Sequence, residues 1–168
     1  MKQTLKYVLE RLIDTLRLAE GKYSITIALA SGVIVFGTSF ITNQSLLVRV
    51  LCGASMVFAL VSVVYGFIAL FARTIKIKNR AKPKHYDNLM FYKNIMKFDA
   101  ESYVEAIKKS YGFPANYKPD GFDLDLAKNV IAQARVIALK FWYFNTSLFF
   151  LILSILLAVF MVLVLGGK

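Results

Sequence analysis

The chain has one cysteine (Cys52), one histidine (His85) and three prolines in 168 residues. A lone cysteine forms no intramolecular disulfide and no cysteine metal site, and His85 has no ligand cluster at metal spacing. Metal catalysis has nothing to stand on. Acidic side chains are scarce too, 10 against 21 lysines and arginines, for a formal net charge of +11. Asp120, Asp123 and Asp125 lack the glycine and bidentate glutamate of a calcium loop in register, so they read as turn and helix-start residues. No phosphate loop, dinucleotide fingerprint or nucleophile elbow is present. These absences predict a non-enzymatic protein with no cofactor.

What is abundant is apolar sequence. The hydrophobic fraction is 58% and mean hydropathy +0.58, well above the ~45–50% of soluble domains. Tyr23 to Thr42 carries no charge and matches the ~20 residues needed to cross the hydrocarbon. Asn43, Gln44 and Ser45 make a polar turn too short for anything but an antiparallel hairpin. Leu46 to Ala72 follows, uncharged apart from Arg49, which lies near its start and can snorkel outward. Phe144 to Leu165 is a third run. The aromatics Phe141, Trp142, Tyr143 and Phe144, directly after Lys140, sit where it enters the bilayer from the inside and read as an interfacial belt.

Charge placement orients these spans. Five Lys/Arg precede the first, Arg49 sits near the turn, fourteen lie between the second and third, and Lys168 ends the chain. By the positive-inside rule the N-terminus and the middle segment are cytoplasmic and the C-terminus lies outside. In that setting the basic excess reflects topology and anionic lipid, and no nucleic acid is expected. The opening twenty residues do not have the layout of a cleavable signal peptide.

Those residues place Leu5, Val8, Leu9, Leu12, Leu16 and Ala19 at helical spacing, an amphipathic helix with a possible break at Gly21. It can lie on the inner membrane surface or pack against a cytoplasmic helix. After the second span a basic stretch, Arg73 to Lys84, meets Pro83. Asp87 or Asn88 can cap a helix over Asn88–Phe98, and Asp99 one over Ala100–Gly112, stopped by Gly112 and Pro114. From Leu124 a helical pattern runs into the third span unbroken, so that span and the second are expected to extend into the cytoplasm as stalks. The expected organisation is therefore all-α: 1–22 amphipathic helix, 23–72 transmembrane hairpin, 73–143 cytoplasmic helical segment, 144–165 third transmembrane helix.

The spans lack intramembrane carboxylates and proline-broken repeats, which argues against a coupled transporter. Ser31, Thr38, Ser39, Ser55, Ser62 and Asn145 supply mild polarity suited to helix-to-helix hydrogen bonds. Ser55, Ala59, Ser62 and Gly66, with Ala28 and Gly32, form small-residue stripes that serve intrachain packing, contact between copies or a pore lining. Three helices cannot enclose a channel alone. In the cytoplasmic segment lysines and arginines alternate with Tyr86, Phe91, Tyr92, Tyr103 and Tyr111. This suits either a nucleotide cradle or a basic collar over a helical core.

Three stretches carry a family resemblance. RLAEGKYSITIALASGVI, NLMFYKNIMKFDAESYVEAI and DLAKNVIAQARVIALKFWYFNTSLFFL resemble, in that order, the opening, the cytoplasmic motif and the final helix of Pycsar-type transmembrane effectors of bacterial anti-phage defence. The usual Ala-Asp-x-Lys-Ala is here Ala19-Glu20-Gly21-Lys22-Tyr23. The resemblance implies a standby membrane protein that, on receiving a cyclic nucleotide or similar signal made during infection, impairs the inner membrane and stops the host cell, and the small-residue spans suit action as an oligomer. It singles out Glu20, Lys22, Asn88, Phe91, Tyr92, Tyr103 and Lys140 for a ligand or signalling role, against which stand capping, stalk packing and interface anchoring. The other function class the residues allow is a membrane adaptor that docks a cytoplasmic partner. A constitutive small channel is a third.

Overall fold

The computed structural model describes residues 1–41, 45–71, 83, 87–114 and 116–166. Among the described residues 84% are helical and no strand occurs. The helices are α1 (Lys2–Thr38), α2 (Leu46–Phe71), α3 (Tyr92–Ile95), α4 (Ala100–Ser110) and α5 (Gly121–Gly166). Three of them, α1, α2 and α5, are long and apolar enough to cross a membrane. This is an all-α membrane protein.

Two compact units emerge, Met1–Ala19 with Ala72–Leu139, and Glu20–Phe71 with Lys140–Lys168. Both α1 and α5 contribute residues to each. At ~1.5 Å per residue, the 46 residues of α5 extend about 69 Å and the 37 of α1 about 55 Å, against ~30 Å of hydrocarbon. Gly21 does not interrupt α1: an added Cβ there would meet nothing within 4 Å, and one glycine costs a helix only ~1 kcal/mol. At its other end α1 stops at Thr38, short of Thr42. Its last turn tightens, with the amides of Ser39 and Phe40 bonding the carbonyls of Phe36 and Gly37.

In the first unit the apolar stripe of α1 is covered by protein. Leu5, Val8, Leu12 and Ala19 are buried, alongside Ile95, Val104, Ile107, Val130 and Ile137. Of the two settings open to this amphipathic stretch, the packed one is realised. Asp99 caps α4 through a reciprocal box with Ser102, whose amide holds the Asp99 carboxyl below its usual range. Gly112, at φ +69°, ends the turn beyond α4 in the left-handed conformation. A helix over Asn88–Phe98 is not what forms. Asn88 Oδ1 instead accepts the Met90 amide, and only the four residues of α3 are helical. Asp87 is drawn away from capping by the Lys97 ammonium, 2.8 Å from its Oδ1. α5 begins at Gly121, before Leu124, because Asp120 and Asp123 cap it reciprocally. Tyr117 donates to Asp123 Oδ2 at 2.6 Å, and that bond pushes the Tyr117 phenol up to about 12.

The second unit is a three-helix bundle. The buried face of α2 reads Val48, Cys52, Ser55, Ala59, Ser62, Gly66 and Ala69, alternating steps of four and three. This repeat keeps one seam facing its partners. Its small side chains allow close approach: a Cβ on Gly66 would sit 2.8 Å from Ile27 Cγ1 of α1. Toward α5 the seam is polar. Ser55 pairs with Ser154 and Ser62 with Ser147, one number rising as the other falls, so α2 and α5 are antiparallel. Interhelical bonds of this kind contribute ~0.6 kcal/mol each in lipid.

Of the six mildly polar residues singled out from sequence, only Ser55 and Ser62 bond another helix. Thr38 donates to the Val35 carbonyl of its own helix, and Ser31, Ser39 and Asn145 face outward. Ala28 and Gly32 also face outward, apart from the buried stripe. The polar turn at residues 42–44, the basic stretch 72–82 with the stalk expected there, Lys84, His85, Tyr86 and Lys168 lie outside the described residues.

Candidate functional site

The seven singled-out residues fall into two groups. In the second unit Lys140 Nζ donates to Glu20 Oε1 at 2.8 Å. Lys140 is 5% exposed and Glu20 46%, so the ammonium is enclosed while its carboxylate partner keeps a water-facing side. One turn further along the same two helices, fully buried Tyr23 packs edge-on against Phe144 at 5.5 Å. Parallel α1 and α5 are thus joined at consecutive turns by an ion pair and an aromatic pair. Lys22 points outward, off this face.

The Lys140 side chain turns into the bundle, while Trp142 is exposed. Lys140, Ser147, Ser154 and Met161 recur every seven residues along α5 and all are buried. A cation therefore heads the line of hydroxyls on the inner face of α5.

The second group lies in the first unit. Asn88 and Phe91 are exposed, Tyr92 is half-buried against the Phe91 ring at 4.8 Å, and burial raises the Tyr92 phenol. Tyr103 is fully buried and donates to the Leu89 carbonyl at 2.7 Å, which ties α4 to the turn before α3. Burial lifts the Tyr103 phenol far above its ordinary value. A phenol so enclosed, with its hydroxyl committed to backbone, acts as a strut. Tyr103→Phe is expected to leave the Leu89 carbonyl unpaired and cost ~1–2 kcal/mol. Thermal unfolding in detergent should show the loss, and an unchanged transition would contradict the strut.

A cleft of about 290 Å³ opens beside this turn, lined among others by Asp87, Leu89, Phe98, Ser102, Glu105 and Lys109. Its two carboxylates outnumber its lysine, so this lining alone does not favour a phosphate. The cations best suited to one by composition, Arg73 to Lys84, lie outside the described residues.

Sequence reasoning missed Ser147 and Ser154. Their spacing of seven residues, equal to that of Ser55 and Ser62, was the available signal.

Against known proteins, no curated protein and no solved structure matches the chain. The Pycsar effector protein domain does, over residues 4–167, nearly the whole length and all three long helices. The chain therefore belongs to the Pycsar effector family and is a membrane effector of anti-phage defence.

Proposed function

We propose that this effector stands by in the cell inner membrane, with its N-terminus and the 73–143 segment cytoplasmic and its C-terminus outside. A cyclic nucleotide made during infection binds the cytoplasmic segment, and several copies then impair the bilayer together without catalysing a reaction. The observation that carries this reading is the Glu20–Lys140 pair on two helices that each run unbroken past it. An enclosed ammonium with a half-exposed partner is a contact that small movements can make or break, because the desolvated charge tolerates no other apolar setting. Continuous helices give a displacement in the cytoplasmic segment a stiff route to that pair.

The basic excess between spans two and three supports the orientation. Self-association is supported by the outward face of α1, where Ser24, Ala28, Ser31 and Gly32 leave room for another helix to approach. Glu20, Lys22 and Lys140 are assigned to signalling, Asn88, Phe91 and Tyr92 to the ligand-facing side, and Tyr103 to their support. The test is reconstitution of the full chain in dye-loaded vesicles of phosphatidylethanolamine and phosphatidylglycerol. Cyclic AMP, GMP, CMP and UMP are then added separately. Release with at least one of them and none in its absence is expected. Release without nucleotide would instead indicate a constitutive channel, and no release together with a stoichiometric cytoplasmic partner would indicate an adaptor.

A further inference from the structure

Two contrasting sets of hydroxyls lie on the membrane helices. Ser24, Thr26, Thr38 and Thr146 each donate to a carbonyl three or four residues back in their own helix. Such groups are self-sufficient in lipid and indifferent to neighbouring helices. Ser55, Ser62, Ser147 and Ser154 behave differently. Ser55 Oγ donates to the Ser154 carbonyl at 2.8 Å and Ser154 Oγ to the Ser55 carbonyl at 2.7 Å. Ser62 and Ser147 make the same exchange, both at 2.8 Å. All four side chains are buried, none more than 3% exposed.

We infer that this α2/α5 seam is the surface that parts when the effector fires, and that its four serines line the resulting water path. The inference rests on the membrane-damage reading above and names where in the chain the damage arises. Parting strands no donor, because a helical serine can turn to its own carbonyl four residues back, as Ser24 and Thr26 already do. The seam's carbonyls keep their backbone partners, so the closed state is held by bonds that each helix can replace internally. Once parted, hydroxyls at two levels offer water hydrogen bonds, whereas an apolar seam of equal width would dewet. Apart from Thr26, which is bonded within α1, Lys140 and the phenol of Tyr23, these serines are the buried polar side chains of the second unit among the described residues. Lys140 lies one heptad before Ser147 on the same face of α5, so the pair that senses displacement heads the line of serines.

A reversible clamp across the seam tests this. In a Cys52→Ala background, which removes the one native cysteine, Ser62→Cys and Ser147→Cys are combined. Their Oγ atoms lie 3.0 Å apart, close enough for a disulfide after small adjustment. The full chain goes into the same vesicles and receives the same four cyclic nucleotides. The reduced protein should release dye as the Cys52→Ala parent does, the oxidised protein should fall to the rate of protein-free vesicles, and reductant should restore release. Oxidised protein leaking at the parent's rate would overturn the seam while leaving the membrane-damage reading intact. A parent that leaks with none of the four would overturn that reading and the inference together. Should the first pair not insert, Ser55→Cys with Ser154→Cys, at 3.2 Å, gives the same comparison.

Discussion

Glu20→Gln is expected to turn the resting effector into a toxic one, arresting growth on expression without any infection signal. The substitution removes the carboxylate that neutralises an ammonium only 5% exposed, leaving a buried charge against a neutral amide. Losing one member of a fully enclosed pair costs ~3–5 kcal/mol, and the half-exposure of Glu20 brings the expectation here to about 2–3 kcal/mol. Lys140→Met should be milder. It deletes the buried charge itself, fills the space with an apolar chain of similar length, and leaves Glu20 free to hydrate. The charge-reversed double variant Glu20→Lys with Lys140→Glu should recover part of the loss, a coupling read from the double-mutant cycle in thermal stability. Lys140→Met proving the more damaging, or no recovery in the reversed pair, would mean that the pair does not hold the resting state.

Ala134→Pro should do the opposite, silencing the effector while leaving it in the membrane. Ala134 is fully buried in the interior of α5. A proline there removes the amide that bonds the Val130 carbonyl and presses its ring on the preceding turn, costing ~3 kcal/mol or more. The apolar run from Phe144 onward is untouched, so insertion by alkaline extraction should match the parent. Nucleotide-triggered dye release should disappear. Release at the parent's rate would show that an unbroken α5 is not the route by which the cytoplasmic segment acts.

The membrane helices were legible in the sequence because lipid imposes one demand, an uncharged run of sufficient length, and composition alone answers it. The Asp99 cap and the Gly112 stop were legible for a similar reason, since each is a local rule with a local partner. What could not be read depends on partners distant in the chain. Asn88 looks like a helix cap until Lys97 claims Asp87 and the turn closes on Met90. Gly21 looks like a break, yet the apolar face of α1 continues past it to buried Tyr23. Nothing local to Lys140 names its partner, and only the return of α1 beside α5 shows that Glu20, 120 residues away, receives it. The serine seam lay between these extremes. Half of it was identified as a small-residue stripe, and the other half needed the register of α5.

If an infection signal reaching this chain becomes damage to the bilayer, single-cell membrane potential during phage challenge records it. Cells carrying the effector with a nucleotide cyclase should depolarise before lysis and before progeny phage appear, whereas cells carrying Ala134→Pro should stay polarised until the phage lyses them. Potential that holds until lysis in both would mean that this chain does not damage the bilayer.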